Sequence, residues 1–340
     1  MTTLHILSNP TNKVHRVERI DPFSTACWKF IKYMTEYGWN CIHYSVPESE
    51  VDCEMVQCID GYSEHHEHNV ATYNLRAGAE IGKRKKPGDI IVCFYGQENR
   101  GACDANPDLK AVEPSIGYTH DAVWAPYRVF VSYAHMHLYY GKQGMLMNPS
   151  WYDQVIYNPI SKDEFDFTES KDDYFLCFGR VTKMKGIDLA IQATQHLGKK
   201  LVIAGRGDLY HMGYDKIPDH VEMIGECDVE QRRKIMSKAK AIMGLTYYLE
   251  PFGNMVAEGF MSGTPAITTD WGGFAETVVQ GKTGFRCRDF KDVVHAIENI
   301  DSIKPADCRH HALTNYEDTV IHPQFDRYFK KLVEDNFYRT

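Results

Sequence analysis

A chain of 340 residues, 43% hydrophobic and 25% charged, is long for a single core and of ordinary size for two, with the composition of a folded globular protein. Its formal net charge of −8, from 38 basic and 46 acidic side chains, excludes the general basic surface through which nucleic acid is bound. No stretch reaches the ~18 apolar residues of a membrane span, and Met1-Thr-Thr-Leu-His-Ile-Leu-Ser8 lacks the charged front of a secretory signal, so the expected location is cytoplasmic.

The first half alternates strand and helix signals. Leu4–Leu7 reads as a strand, Ala26–Met34 as a helix, and Gly38 breaks the chain before the strand Cys41–Ser45. Asp89–Tyr95 is a short, largely apolar run of the kind found in parallel strands covered on both faces. Arg128–Ser132, an aromatic-rich helical stretch to Tyr140, and Gln154–Tyr157 follow. The polar, aliphatic-poor segment 158–173 is the expected linker between a first domain (1–157) and a second (174–318). Strands at 174–178, 200–204, 221–224, 241–245 and 266–268 then alternate with helices at 186–196, 229–239 and 254–261. The chain closes on an amphipathic helix within 319–340, with Phe325, Tyr328, Phe329, Leu332 and Val333 at helical spacing. Such alternation predicts an α/β protein with parallel sheets covered by helices.

Two sequences suggest metal sites and support none. His65, His66 and His68 cannot converge on one helix face and read as a polar surface loop. The ten cysteines contain no CxxC pair and sit mostly in apolar runs, as Cys93 and Cys177 do, so buried free thiols are expected.

The chemistry is concentrated in the second half. Phe178-Gly179-Arg180 ends a strand, and Lys185-Gly186 stands at the mouth of a helix. A tight turn into a helix N-terminus offers free amides and the positive end of a dipole, to which Arg180 and Lys185 add cations suited to a diphosphate. Solvated loop cations are the plainer alternative. Gly205 and Gly207 in Ala204-Gly-Arg-Gly207 would let a ligand approach the backbone, but Tyr210 stands where a dinucleotide fingerprint needs Gly or Ala, which argues against a nicotinamide site. Glu250 and Glu258 lie eight positions apart, one on a loop broken by Pro251 and Gly253, the other in a helix for which Asn254 is a good N-cap and which Gly263 and Pro265 close.

Taken in order, Phe178-Gly-Arg180, Lys185-Gly186, Ala204-Gly-Arg-Gly207, Gly225, the Glu250 and Glu258 pair, Gly263-Thr-Pro265 and Gly272-Gly-Phe-Ala-Glu276 resemble the second domain of retaining glycosyltransferases of the type-B fold, GT-B, family 4. The resemblance covers about 160 residues. It implies two Rossmann-like α/β/α domains facing each other across a cleft, with the C-terminal helix returning toward the first. It further implies a nucleotide-sugar donor and no metal or other cofactor. Arg180 and Lys185 would neutralise the donor diphosphate, Glu258 would hold the ribose hydroxyls and Glu250 would face the sugar. Gly179, Gly205, Gly207 and the amides of Phe252, Gly253, Asn254 and Met255 would complete the cradle.

The family reads the base after Gly225, where Glu226 and Asp228 stand. A carboxylate accepts from the N1–H and amino group of guanine, which favours GDP-mannose over UDP-glucose. The first half matches less well. Ser8-Asn-Pro-Thr-Asn12 replaces the family's Gly-Gly loop, which makes Pro10 and Thr11 the acceptor-side candidates, and the sugar-contacting histidine could correspond to Glu113, to His120 or to neither. The acceptor would be a glycan, lipid or glycoprotein, and a homodimer is left open. A nucleotide-sugar-binding module without turnover and a type-B epimerase are the competing readings.

Overall fold

The computed structural model describes residues 2–15 and 22–334. It divides into two compact units. One holds the residues up to Val131 together with Met136–Ile156 and the chain from Ile321 onward, and the other holds Ser132–His135 and Tyr157–Val320.

The first unit is built on strands β1 (Thr3–Leu7), β2 (Asn40–Ser45), β3 (Glu54–Gln57), β4 (Ile90–Cys93), β5 (Lys110–Ile116), β6 (Tyr127–Phe130) and β7 (Gln154–Val155). All run parallel in the order β3-β2-β1-β4-β5-β6-β7. Every residue of β1 and β4 is buried, as expected of parallel strands covered by helices on both faces. Helices α1 (Pro22–Glu36), α2 (His66–Arg84), α3 (Arg100–Asp104) and α4 (Tyr133–Gln143) interleave with the strands. His66 and His68 therefore open α2 rather than lie in a loop. The reason is visible in its buried face, Asn69, Tyr73, Ala77 and Ile81, which repeats every fourth residue. Among the described residues no group of three or more His, Cys, Asp or Glu could hold a metal ion.

The second unit contains β8 (Tyr174–Phe178), α5 (Ile187–His196), β9 (Lys200–Ala204), β10 (Val221–Gly225), α6 (Val229–Lys238), β11 (Ala241–Gly244), α7 (Asn254–Met261), β12 (Ala266–Thr269), α8 (Phe274–Thr277), β13 (Gly284–Cys287), α9 (Phe290–Asn299) and α10 (Pro305–Asn315). Its parallel sheet runs β10-β9-β8-β11-β12-β13. The segment 158–173 packs within this unit. Phe165 is buried, and the Lys171 ammonium donates to Ser237 O (2.8 Å), Ser262 O (3.1 Å) and Thr264 Oγ1 (2.9 Å). Burial lowers the Lys171 pKa to about 8.

The last helix, α11 (Asp318–Glu334), starts in the second unit and enters the first at Ile321. There Phe325 and Phe329 pack against Phe30, with ring centroids 5.6 and 5.4 Å away, and Trp39 Nε1 donates to Asp326 (2.9 Å). Among the described residues no helix is long and apolar enough to cross a membrane.

Both sheets share one plan. Their first strands, β1 and β8, lie in the interior, later strands are added on either side, and the strand order reverses between β1 and β4 and between β8 and β11. In open α/β sheets a ligand crevice forms outside the carboxyl ends of the strands at such a reversal.

Candidate active site

At the reversal in the second unit, the loop after β8 is tied to the loop after β11. Tyr247 N donates to Met184 O (2.9 Å), and Gly186, at φ +66°, lies so close to Leu245 that a Cβ would fall 1.8 Å from its carbonyl oxygen. Only glycine fits here, because the left-handed turn and the close approach coincide. The tie brings Lys185 to Glu250, with Nζ 2.9 Å from Oε2. The Tyr248 hydroxyl donates to the same oxygen (2.7 Å), and the Lys185 ammonium lies 5.1 Å from the Tyr248 ring centroid. Burial, then the Glu250 charge, push the Tyr248 pKa up. The Glu250 backbone is held by the third loop of the edge, since Gly273 N donates to Glu250 O (2.6 Å) and Trp271 Nε1 donates to Thr246 O (3.0 Å). The Gly272-Gly273 motif thus anchors the loop that carries the acid.

Beside this cluster a glycine directly follows β8 and β9, and another ends β10. Gly179 N donates to Ala204 O (2.9 Å) and Gly205 N to Gly225 O (2.7 Å), which lines up Gly179, Gly205 and Gly225 along the rim. A Cβ on Gly205 would sit 2.0 Å from Gly179 O, whereas one on Gly179 or Gly225 would meet nothing within 4 Å, so the rim is close-packed below and open above. Gly207, at φ +116°, continues it against Val181. Arg180 is exposed at the same edge.

The third part is the start of α7. The cap position is Gly253, at φ +87°, and not Asn254, which is the first helical residue; its Oδ1 accepts from Asn158 Nδ2 (2.8 Å) instead of from the helix. A glycine wins the cap because the chain must enter the helix through a left-handed residue. Phe252 is buried, with its ring 5.7 Å from that of Tyr157 and 5.5 Å from that of Tyr316, so only its backbone is available to a ligand. Through Met255 the first-turn amides face outward from the helix end, as in anion-binding helix termini. Glu258, one turn on, is buried and ion-paired with Arg232 of α6.

Glu226 is exposed just beyond β10, while Asp228 is committed to structure: its carboxylate accepts from Gln231 N (2.8 Å), and Gln231 Oε1 accepts in return from Asp228 N, closing a capping box on α6. Glu276 is also committed, accepting from Tyr133 N (3.0 Å), Ala134 N (2.6 Å) and the Tyr157 hydroxyl (3.2 Å).

Of the first-unit candidates, Pro10, Thr11 and His120 lie on loops that follow strands of its sheet, and Glu113 lies within a strand. Pro10 and Thr11 follow β1, where Asn9 Oδ1 accepts from Thr11 N (2.9 Å) and Thr11 Oγ1 (3.0 Å) in a tight turn. Glu113 is sealed inside β5 with no exposed surface. It accepts from the Tyr118 hydroxyl (2.5 Å), Trp124 N (3.1 Å) and Ala125 N (2.8 Å), and burial raises its pKa. It therefore pins the chain from 118 to 125 and offers no oxygen to a ligand. His120 is half-buried on that pinned segment.

Sequence reasoning missed Arg232 and the Tyr248 hydroxyl. For Arg232 a signal was present, because it stands four residues before the fully buried Met236 on one face of α6, where an unpaired arginine would be costly.

Residues 160–317 match the family model described as glycosyl transferases group 1. Glycogen synthase of Mycobacterium tuberculosis is 31% identical over 137 residues, 37% of this chain and 33% of that protein. The O-antigen chain mannosyltransferase RfbU of Salmonella typhimurium is 29% identical over 160 residues, 45% of each chain. The chain thus spans about a third of the first relative and under half of the second. HepE of Anabaena, solved in complex with UDP-glucose, superposes with a TM-score of 0.71 over 97% of this chain and 100% of that one at 12% identity. The chain has the GT-B fold of two parallel-sheet α/β units, and its residues 160–317 are similar to glycosyl transferases group 1.

Proposed function

We propose that the protein is a metal-independent, retaining glycosyltransferase that moves a hexose from a nucleotide sugar to an acceptor hydroxyl on a glycan, lipid or glycoprotein. The observation that carries this reading is the Lys185–Glu250 pair at the strand-order reversal, set against the open glycine rim of Gly179, Gly205 and Gly225. A diphosphate fits this edge: Arg180, Lys185 and the α7 amides supply positive charge, each charge-assisted hydrogen bond contributing about 1.5–3 kcal/mol. On binding, the phosphate takes Lys185 in place of Glu250, and the released carboxylate turns to the donor sugar's hydroxyls. Glu258 receives the ribose hydroxyls.

Transfer breaks the bond between the anomeric carbon and the distal phosphate oxygen and forms one from the acceptor oxygen to the same face of that carbon. The acceptor proton passes to the departing phosphate, whose growing charge Arg180 and Lys185 stabilise. Pro10, Thr11 and His120 are assigned to the acceptor side. None of the ten cysteines is in a disulfide, which suits the reducing cytoplasm.

GDP-mannose is favoured over UDP-glucose. Glu226, unlike Asp228, carries a carboxylate that no helix cap consumes, and it stands where the base would lie. RfbU is a mannosyltransferase, whereas HepE binds UDP-glucose. Calorimetric titration with GDP-mannose, UDP-glucose and their nucleoside diphosphates tests the reading, followed by single-turnover assay of diphosphate release with an acceptor panel. Binding with release supports transfer; binding of none of the four compounds refutes it.

A further inference from the structure

We infer that Arg232 is a positioning residue for ribose recognition, an inference that rests on the donor-site reading above. Its guanidinium pairs through Nη2 with Oε1 of Glu258, both side chains being nearly covered, at 15% and 11% exposure. The guanidinium carbon lies 5.4 Å from the Phe165 ring centroid and 5.3 Å from that of Phe178, so the group packs against two aromatic rings. Phe178 is the last residue of β8, immediately before Gly179 and Arg180, which places this packing where the diphosphate loop begins. Arg232 Nε is buried with no hydrogen-bond partner among the described residues, a desolvation cost that the ion pair and the two rings must offset.

The arrangement holds one carboxylate oxygen of Glu258 and leaves the other for a diol. A planar guanidinium packed against two rings does this from one direction, whereas a lysine ammonium is a freely rotating point charge. Vicinal ribose hydroxyls need a carboxylate in one orientation, so the pairing converts a generic acid into a selective one. Phe165 contributes from the segment ahead of β8, which explains why that stretch packs in the second unit.

The test compares GDP, UDP and their 2′-deoxy forms by calorimetry on the full chain. Wild type is expected to prefer the ribonucleotide by about 10- to 100-fold, the worth of a hydrogen bond to a charged group. In Arg232→Met the preference should fall to within about 3-fold, and Glu258→Gln added to it should bring no further loss, since the two act as one unit. Arg232→Lys keeps the charge and is expected to lose several-fold of the preference; it decides the matter if the methionine variant does not fold. A variant that binds all four nucleotides more weakly yet keeps the wild-type ratio makes Arg232 merely structural and overturns the inference alone. Wild-type protein that binds none of the four overturns the donor-site reading and the inference with it.

Discussion

The loops after β1 and after β8 occupy equivalent places, each following the first strand of a parallel sheet at the reversal of strand order, and they are chemically opposite. Directly after β1, Ser8 is held by neutral hydrogen bonds, and charge enters the loop only further on, where Lys13 pairs with Glu48. The Tyr73 hydroxyl accepts from Ser8 N (3.1 Å) and donates to Tyr44 O (2.7 Å), Asn99 Nδ2 donates to Ser8 O (2.9 Å), and His43 Nε2 lies 3.0 Å from Ser8 Oγ. After β8 the edge is glycine and charge, with Gly179, Arg180, Lys185 and Gly186 meeting Glu250. One topology thus yields a strand end tied down at Ser8 and another built of glycine and charge. The fold fixes where a site can be, and the residues at the edge decide whether it is one.

The strongest way to break this contrast is Gly186→Ala. Its Cβ would collide with the Leu245 carbonyl in a left-handed turn, so the β8 and β11 loops must separate, with an expected loss of about 4 kcal/mol in urea unfolding. A loss below about 1 kcal/mol would show that the close approach is dispensable. Lys185→Ala should weaken nucleoside diphosphate binding by about 1.5–3 kcal/mol, read by calorimetry, and wild-type affinity would remove the cation from the site.

The tied-down strand end is probed by pH. Burial lowers the His43 pKa to about 3, so between roughly pH 6.5 and 3 the unfolded chain binds a proton that the native protein does not. Stability from this group is complete above pH 6.5 and declines with acid, by about 1.4 kcal/mol per pH unit within that window. His43→Asn should flatten the slope between pH 6 and 4; parallel slopes would mean the ring is charged in the native state. Smallest is Asp228→Ala, expected to cost about 1 kcal/mol as a lost N-cap without changing the ratio of GDP to UDP affinity. A changed ratio would return Asp228 to base recognition.

Much of this was legible in sequence where local rules and tertiary structure agree. The strand at 200–204 and the helix at 254–261 appear with the expected bounds, because apolar runs and glycine breaks mark them. β3 was not legible: its four residues, Glu54–Gln57, are exposed or half-buried, and Met55-Val56 is too short an apolar run to mark a strand without the edge that β2 offers. That Lys185, Glu250 and the glycines gather at one sheet edge could be expected, because turn chemistry and charge point the same way. The partners could not. That Asp228 caps a helix, that Glu113 is sealed in a strand and that Arg232 meets Glu258 depend on which face of an element turns inward.

The buried ammonium of Lys171 bears on how the second unit can be isolated. It collects carbonyls from the last turn of α6 and from the end of α7, the helix that carries Glu258, so it acts as a shared C-terminal cap supplied from outside both helices. A fragment cut at Tyr174, where the strand pattern begins, would leave those carbonyls without their donor and Arg232 without Phe165. Begun at Tyr157, the fragment keeps its own plug. The second unit, taken as a separable piece, is therefore bounded by a lysine ahead of its first strand.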